Sequence, residues 1–247
     1  MCIRDRRRGS QTLHRIHGIP LAINAGDALH GIVHQVLLEN HEKLGNQKAL
    51  QVHHHLNLVM QKTFEGQALD IGWVEKEVFP KREKYQQMIV RKTGWYSGRG
   101  PCQCGALIAV IEGELFESLG DFGESLGIGF QIRDDILNLT ESSESNAPEA
   151  QVGGYGKEQG GDFAEGKRTL ITIEMLERLN PEEQNRLQSI LLKSRTEVIE
   201  EEIVWAIEQS ERCGAIHAAR SEAQNHALRA SLELSKMPLN QNTVKEQ

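Results

Sequence analysis

The run Phe122–Leu139, F-G-E-S-L-G-I-G-F-Q-I-R-D-D-I-L-N-L, ends an apolar helical pattern on two adjacent carboxylates, Asp134 and Asp135. Phe130, Ile132, Ile136 and Leu137 surround the pair, so the rest of the run reads as buried. An unpaired carboxylate at the edge of an apolar environment is costly, and a cation should meet it. Oxygen-only ligands at helical spacing favour a hard cation such as Mg2+ over zinc. Asn138, four residues after Asp134, shares its helical face. The plainer alternative is an Asp pair that closes a helix and faces water.

Other polar clusters stand along the chain. Gly66–Asp70, G-Q-A-L-D, sets Gln67 and Asp70 about one helical turn apart. Lys92–Tyr96 reads K-T-G-W-Y, and Tyr155–Leu170 reads Y-G-K-E-Q-G-G-D-F-A-E-G-K-R-T-L. Each lysine has a bland reading as a solvated charge. Glycine around Lys157 and Lys167 adds free backbone N–H groups and mobility, which suit a lid over phosphate. Arg7–His14, R-R-G-S-Q-T-L-H, is followed by G-I-P-L-A-I-N-A-G-D-A-L over Gly18–Leu29. Arginine forks fit phosphate oxygens; the alternative is a disordered basic arm.

Helices must position these residues. Apolar residues recur at three- and four-residue spacing, and strand-like alternation is almost absent. The spacing predicts helices over 22–44, 47–73, 82–92, 105–119, 120–139, 168–179, 181–193, 197–208 and 214–234. The stretch 141–166 reads as a mobile loop, and 237–247 as a frayed polar tail. Several helices are apolar on more than one face, as in a bundle whose inner helices are surrounded. The fold class is all-α, with an elongated cavity between helices.

A chain of 247 residues fits one domain with a real core. Its formal charge of -7 argues against general nucleic-acid binding. No apolar run is long enough for an integral membrane segment. Cys2, Cys102, Cys104 and Cys213 suggest no disulfide framework, so a reduced, cytoplasmic setting is the simplest reading. Cys102 and Cys104 read as small packing residues at a helix start. His30 and His34 stand four apart, a spacing that could bind a transition metal with Asp27 one turn earlier; a packing or solvated role is the plainer reading. His53, His54 and His55 point in different directions around a helix and cannot form one clamp.

In this order the motifs resemble those of the trans-isoprenyl diphosphate synthases (polyprenyl synthetases), over nearly everything from Arg7 to Leu234. The resemblance implies an isoprenoid synthase helical bundle around a central cavity, lacking the first helices. It implies a Mg2+-dependent prenyltransferase that joins an allylic prenyl diphosphate to isopentenyl diphosphate. The allylic C–O bond breaks, a carbocation-like centre forms, the isopentenyl double bond attacks and a proton leaves. By resemblance, Asp134 and Asp135 open the second aspartate-rich motif, Asp134 as a direct ligand and Asp135 through water. Asn138 stands at the motif's fifth position, and Asp70 is a further metal candidate. Lys92 and Thr93 would hold the allylic diphosphate near the reacting carbon. Arg7, Arg8, Lys157 and Lys167 would bind diphosphates, and Gln67, Tyr96 and Gln131 would line the substrates. The style of the loop and Asn138 favour a geranylgeranyl product over farnesyl. A homodimer is also implied.

One part of the pattern is missing. With Arg7 and Arg8 as the family's paired arginines, its first D-D-x-x-D motif would end at Cys2, and Asp5 is out of place to replace it. Residues 1–6 therefore read as a non-native leader, 7–236 as an incomplete synthetase domain and 237–247 as the tail. A chain so shortened should be impaired. The alternatives are a non-catalytic partner subunit of such a synthase and a class I terpene cyclase.

Overall fold

The computed structural model describes residues 6–7, 10–140 and 159–238. Expectations for Arg8, Lys157, the loop 141–158 and the tail beyond Pro238 lie outside the described residues. Arg6–Arg7 (β1) pairs antiparallel with Ser10–Gln11 (β2), Arg7 opposite Ser10. All other regular structure among the described residues is helical: α1 Leu13–His17, α2 Ile19–Glu39, α3 His41–Leu44, α4 Asn46–Glu75 and α5 Arg82–Ile89. A π-helical segment, Val90–Arg99, runs on into α6 Gly100–Ile108. Then come α7 Gly113–Thr140, α8 Gly161–Ala164, α9 Leu170–Arg178, α10 Pro181–Leu191, α11 Glu200–Arg212 and α12 Ala215–Lys236.

Local chemistry sets several boundaries. Pro181 begins α10, where the Asn180 carboxamide oxygen accepts from Glu183 N–H and the Glu183 carboxylate accepts from Asn180 N–H. The Thr169 hydroxyl accepts from Thr172 N–H at the start of α9. Two expectations need correction. The predicted helix 82–92 continues without a break through the π segment to Ile108. The predicted helix 105–119 does not exist as such: the chain turns at Ala109–Glu112 with Val110 at φ 59°, and α7 begins at Gly113. The apolar run A-L-I-A-V-I carries no turn residue before Gly113, so periodicity ran through the break.

Helix α7 lies at the centre, packed between α12 and the π segment. Gly98 and Gly123 let that crossing close backbone to backbone: a Cβ on Gly98 would stand 1.8 Å from the Gly123 carbonyl oxygen. Ile128, Ile132, Ile136 and Leu139 of α7 join Tyr85, Met88, Phe163, Ile171 and Met175 in the main core. Helix α2 differs from the rest. It buries no residue, and Leu21, Ile23, Leu29, Ile32 and Val36 are all more than half exposed. No described helix is long and apolar enough to cross a membrane.

Candidate active site

A cavity of about 50 Å³ opens among four helical segments and a turn, lined by Asp70, Tyr85, Met88, Ile89, Lys92, Gln131, Asp135, Lys167, Arg168 and Thr169. Helix α4 supplies Asp70, α5 the apolar Met88 and Ile89, the π segment Lys92, α7 Gln131 and Asp135, and the turn before α9 Lys167 to Thr169. Gly66, one turn before Asp70, permits the approach of α4: a Cβ there would lie 2.4 Å from the Lys92 backbone nitrogen.

Charges alternate around the wall. The Lys92 ammonium pairs with Asp70. The Lys167 ammonium pairs with Asp162 and lies 3.3 Å from Glu165. Gln131 Nε2 donates to Asp135 Oδ1 at 2.9 Å, and Thr93, buried behind it, reaches Gln131 Oε1 only at 3.5 Å. Asp135 is 8% exposed. Burial first, then the Asp162 carboxylate, pushes its pKa up to about 8 against the pull of Gln131 and Lys167. A carboxylate whose ionised form is penalised in this way is met favourably by an added cation.

The structure brings Asp70, Lys92, Gln131, Asp135 and Lys167 together. It separates others from them. Asp134 is half-buried beside Asp135 but off the cavity wall, so Asp135 is the member of the pair that faces inward. Gln67 does not line the cavity, and Tyr96 is 64% exposed away from it. Asn138 is 2% exposed, and its Oδ1 accepts from Asp162 N–H at 3.0 Å, which fastens α8 to α7. Of the paired arginines, the backbone of Arg7 is described in β1 and Arg8 is not described.

Motif reading passed over three residues. The Tyr85 hydroxyl is held well above its ordinary pKa by burial, with Asp135 and Asp70 adding to the effect. Arg168, 1% exposed, donates to the carbonyls of Val78 and Gly166 and stacks over Phe79 at 4.2 Å. Burial lowers its pKa to about 10. Asp162 and Arg168 stood inside a quoted motif, but only tertiary contact distinguishes them from its other residues. Tyr85 carried no sequence signal.

Among the described residues no group of three or more His, Cys, Asp or Glu side chains converges to hold a metal ion. Mg2+ rarely needs such a cage: one or two carboxylates with phosphate oxygens and water suffice. The donors on this wall are oxygens, and the inward Asp135 lacks a full countercharge, so the residues present fit Mg2+ completed by a phosphate ligand.

An all-α bundle with this wall at its centre has the isoprenoid synthase fold, as its structural neighbours do. Residues 4–208 match the polyprenyl synthetase family, and the chain belongs to it. It is 33% identical over 228 residues to a short chain isoprenyl diphosphate synthase of Methanothermobacter thermautotrophicus, covering 92% of this chain and 65% of that protein. It is 36% identical over 188 residues to a geranylgeranyl diphosphate synthase of Sulfolobus acidocaldarius, covering 76% and 52%. The crystal structure of geranylgeranyl pyrophosphate synthetase from Pyrococcus horikoshii superposes with a TM-score of 0.82 at 28% identity, covering 97% of this chain and 68% of that one. The chain thus spans about two thirds or less of the length of these relatives.

Proposed function

We propose that this chain is a Mg2+-dependent prenyltransferase that condenses an allylic prenyl diphosphate with isopentenyl diphosphate, with geranylgeranyl diphosphate as product. The observation that carries this reading is the single cavity wall to which separate elements bring Lys92, Gln131, Asp135 and Lys167. The cavity has room for only about one or two waters. A diphosphate must therefore part the Asp70–Lys92 and Asp162–Lys167 pairs and take both ammonium groups as its own partners. That exchange leaves carboxylates beside a polyanion, a state that a divalent cation relieves.

Mg2+, held by Asp135 with Asp134 beside it and Asp70 across the cavity, would supply charge neutralisation of the departing diphosphate. Asn138 would serve this set by anchoring Asp162. Lys92 and Lys167 bind and orient the diphosphate, joined by Lys157 and by Arg7 and Arg8. Gln131, held by Asp135 and neighboured by Thr93, directs its amide at the reacting end. Gln67 and Tyr96 belong to the outer rim of the substrate channel. Met88, Ile89 and Tyr85 keep water from a developing carbocation. The exposed α2 face, too apolar to stay in water, packs against a second copy in a homodimer. Cys102, Cys104 and Cys213 are free thiols, in keeping with a cytoplasmic site of action.

Asp70 and Asp135 are the carboxylates that line the cavity, enough for one Mg2+ with a diphosphate but not for several, so we infer that the isolated chain turns over slowly. The same observation favours a second reading, a non-catalytic partner subunit of a synthase. The test is incubation of the full chain with Mg2+, labelled isopentenyl diphosphate and geranyl or farnesyl diphosphate, with chromatography of the products. Prenyl chain extension lost in Lys92→Ala supports the enzyme. Mg2+-dependent binding of the allylic diphosphate without extension supports the partner subunit, and no binding of either substrate sinks both.

A further inference from the structure

We propose that His34 and His53 form a two-imidazole site for a divalent transition metal of the zinc class, joining α2 to α4 more than four helical turns before Asp70 on α4. His34 Nδ1 and His53 Nε2 stand 3.0 Å apart, from residues nineteen positions apart in sequence. Two nitrogens bound to one zinc at about 2.0–2.1 Å are separated by about 2.9–3.4 Å, from square to tetrahedral angles. The two rings, 5.1 Å between centroids, thus already hold the nitrogen spacing of a metal-bound pair, with a shared proton in place of the ion.

The surroundings favour the exchange. The Asn57 carboxamide lies 3.3 Å from His53 Nδ1. Turned over, it presents a carbonyl oxygen to an Nδ1–H, which fixes the tautomer that leaves Nε2 free for a metal. His30 is one helical turn before His34, its ring centroid 4.7 Å from the His34 ring. The three rings do not converge on one point as they stand, and a swing of His30 brings a third imidazole to the ion. A surface cavity of about 370 Å³, lined by His30, His54, Asn57 and Phe64 among others, adjoins the pair through His30 and Asn57 and has room for water next to it. Imidazole nitrogen suits zinc, nickel or copper, whereas Mg2+ and Ca2+ prefer oxygen, so this site and the acidic cavity take different ions.

The placement has a consequence for the fold. Helix α2 buries none of its residues and makes its main contacts with the short α1 beside it and with α4. A metal bridging His34 and His53 pins it there, and an ion that binds only the folded state raises stability by mass action.

The test titrates Zn2+ into the metal-free full chain by calorimetry and follows its thermal midpoint with and without Zn2+. Wild type should bind Zn2+ in the micromolar range and gain in midpoint. His34→Ala and His53→Gln should each weaken Zn2+ binding by about tenfold or more and abolish the midpoint gain, and Asn57→Ala should give a smaller loss. His53→Gln keeps a polar side chain between the helices, so a packing defect does not imitate a lost ligand. Asp135→Asn should leave Zn2+ binding unchanged, which keeps this result independent of the prenyltransferase reading. Full Zn2+ affinity in both histidine variants overturns the site, as does absence of binding by wild type at about 100 μM Zn2+.

Discussion

Asp70 on α4 and Lys92 on the π segment form an ion pair on the cavity wall, with side chains 17% and 30% exposed. The pair holds the lysine charge in place and, in the same contact, neutralises it toward an incoming anion. Asp70→Asn should therefore cost about 1 kcal/mol of stability. In the absence of Mg2+ it should tighten diphosphate binding about fivefold, the equivalent of about 1 kcal/mol. Inorganic diphosphate titrated into both proteins without metal measures this; unchanged or weaker binding in the variant would remove Lys92 from the anion site.

Asp135 is buried with its ionised form disfavoured, so it should trade stability for function. Asp135→Asn keeps the Gln131 contact and removes the penalised charge, and its thermal midpoint in EDTA should rise by about 2–4 °C for each kcal/mol regained. The same variant should lose Mg2+-dependent diphosphate binding. Asp134→Asn should weaken that binding less, because its side chain is off the cavity wall. Equal losses would restore equal weight to the two carboxylates.

The crossing of the π segment over α7 tolerates no side chain at its centre. Gly98→Ala should destabilise by about 3 kcal/mol or more, because the added methyl meets the Gly123 backbone rather than a movable side chain. In Gly105→Ala the methyl meets nothing within 4 Å. That change lies within α6 and should stabilise by about 0.5–1 kcal/mol. Urea unfolding of the two variants makes the comparison.

Two buried histidines should withdraw stability on mild acidification, in opposition to Asp135. Burial lowers the pKa of His55, helped by Arg99 and His54, and burial likewise lowers that of His226 against the pull of Glu222. The unfolded chain takes up these protons first, near a pKa of about 6.5. Their contribution is thus fully present above that value and is lost as pH falls from there through the lower folded values. Asp135, with its pKa raised to about 8, gives the opposite slope over this range, so urea midpoints between about pH 7.5 and 5.5 are measured in the Asp135→Asn background. They should slope downward there, and adding His55→Gln and His226→Gln should flatten that slope.

The apolar face of α2 should be covered in solution. Size-exclusion chromatography with light scattering should find a dimer, and Ile32→Glu with Val36→Glu should yield monomer. A wild-type monomer at micromolar concentration would leave α2 without its proposed partner.

Residue order and type alone determined much of this protein. Apolar spacing fixed an all-helical bundle, and Asn180-Pro181 marked a helix start to the residue. The motifs singled out Lys92, Gln131, Asp135 and Lys167, which come from three separate stretches of the chain and line one cavity. Tertiary structure decided the rest. Which carboxylate of the Asp134–Asp135 pair faces inward depends on the rotation of α7, set by its crossing with the π segment through Gly98 and Gly123. Periodicity cannot supply that angle, since adjacent helical residues differ by about 100°. Asn138 looked like a ligand because its spacing is right, yet its oxygen is bound to a backbone N–H of a segment 24 residues on. The turn at Val110 was hidden because a left-handed residue without glycine leaves no mark in the sequence. His34 and His53 meet only because α2 lies on α4, and no spacing rule joins residues on separate helices.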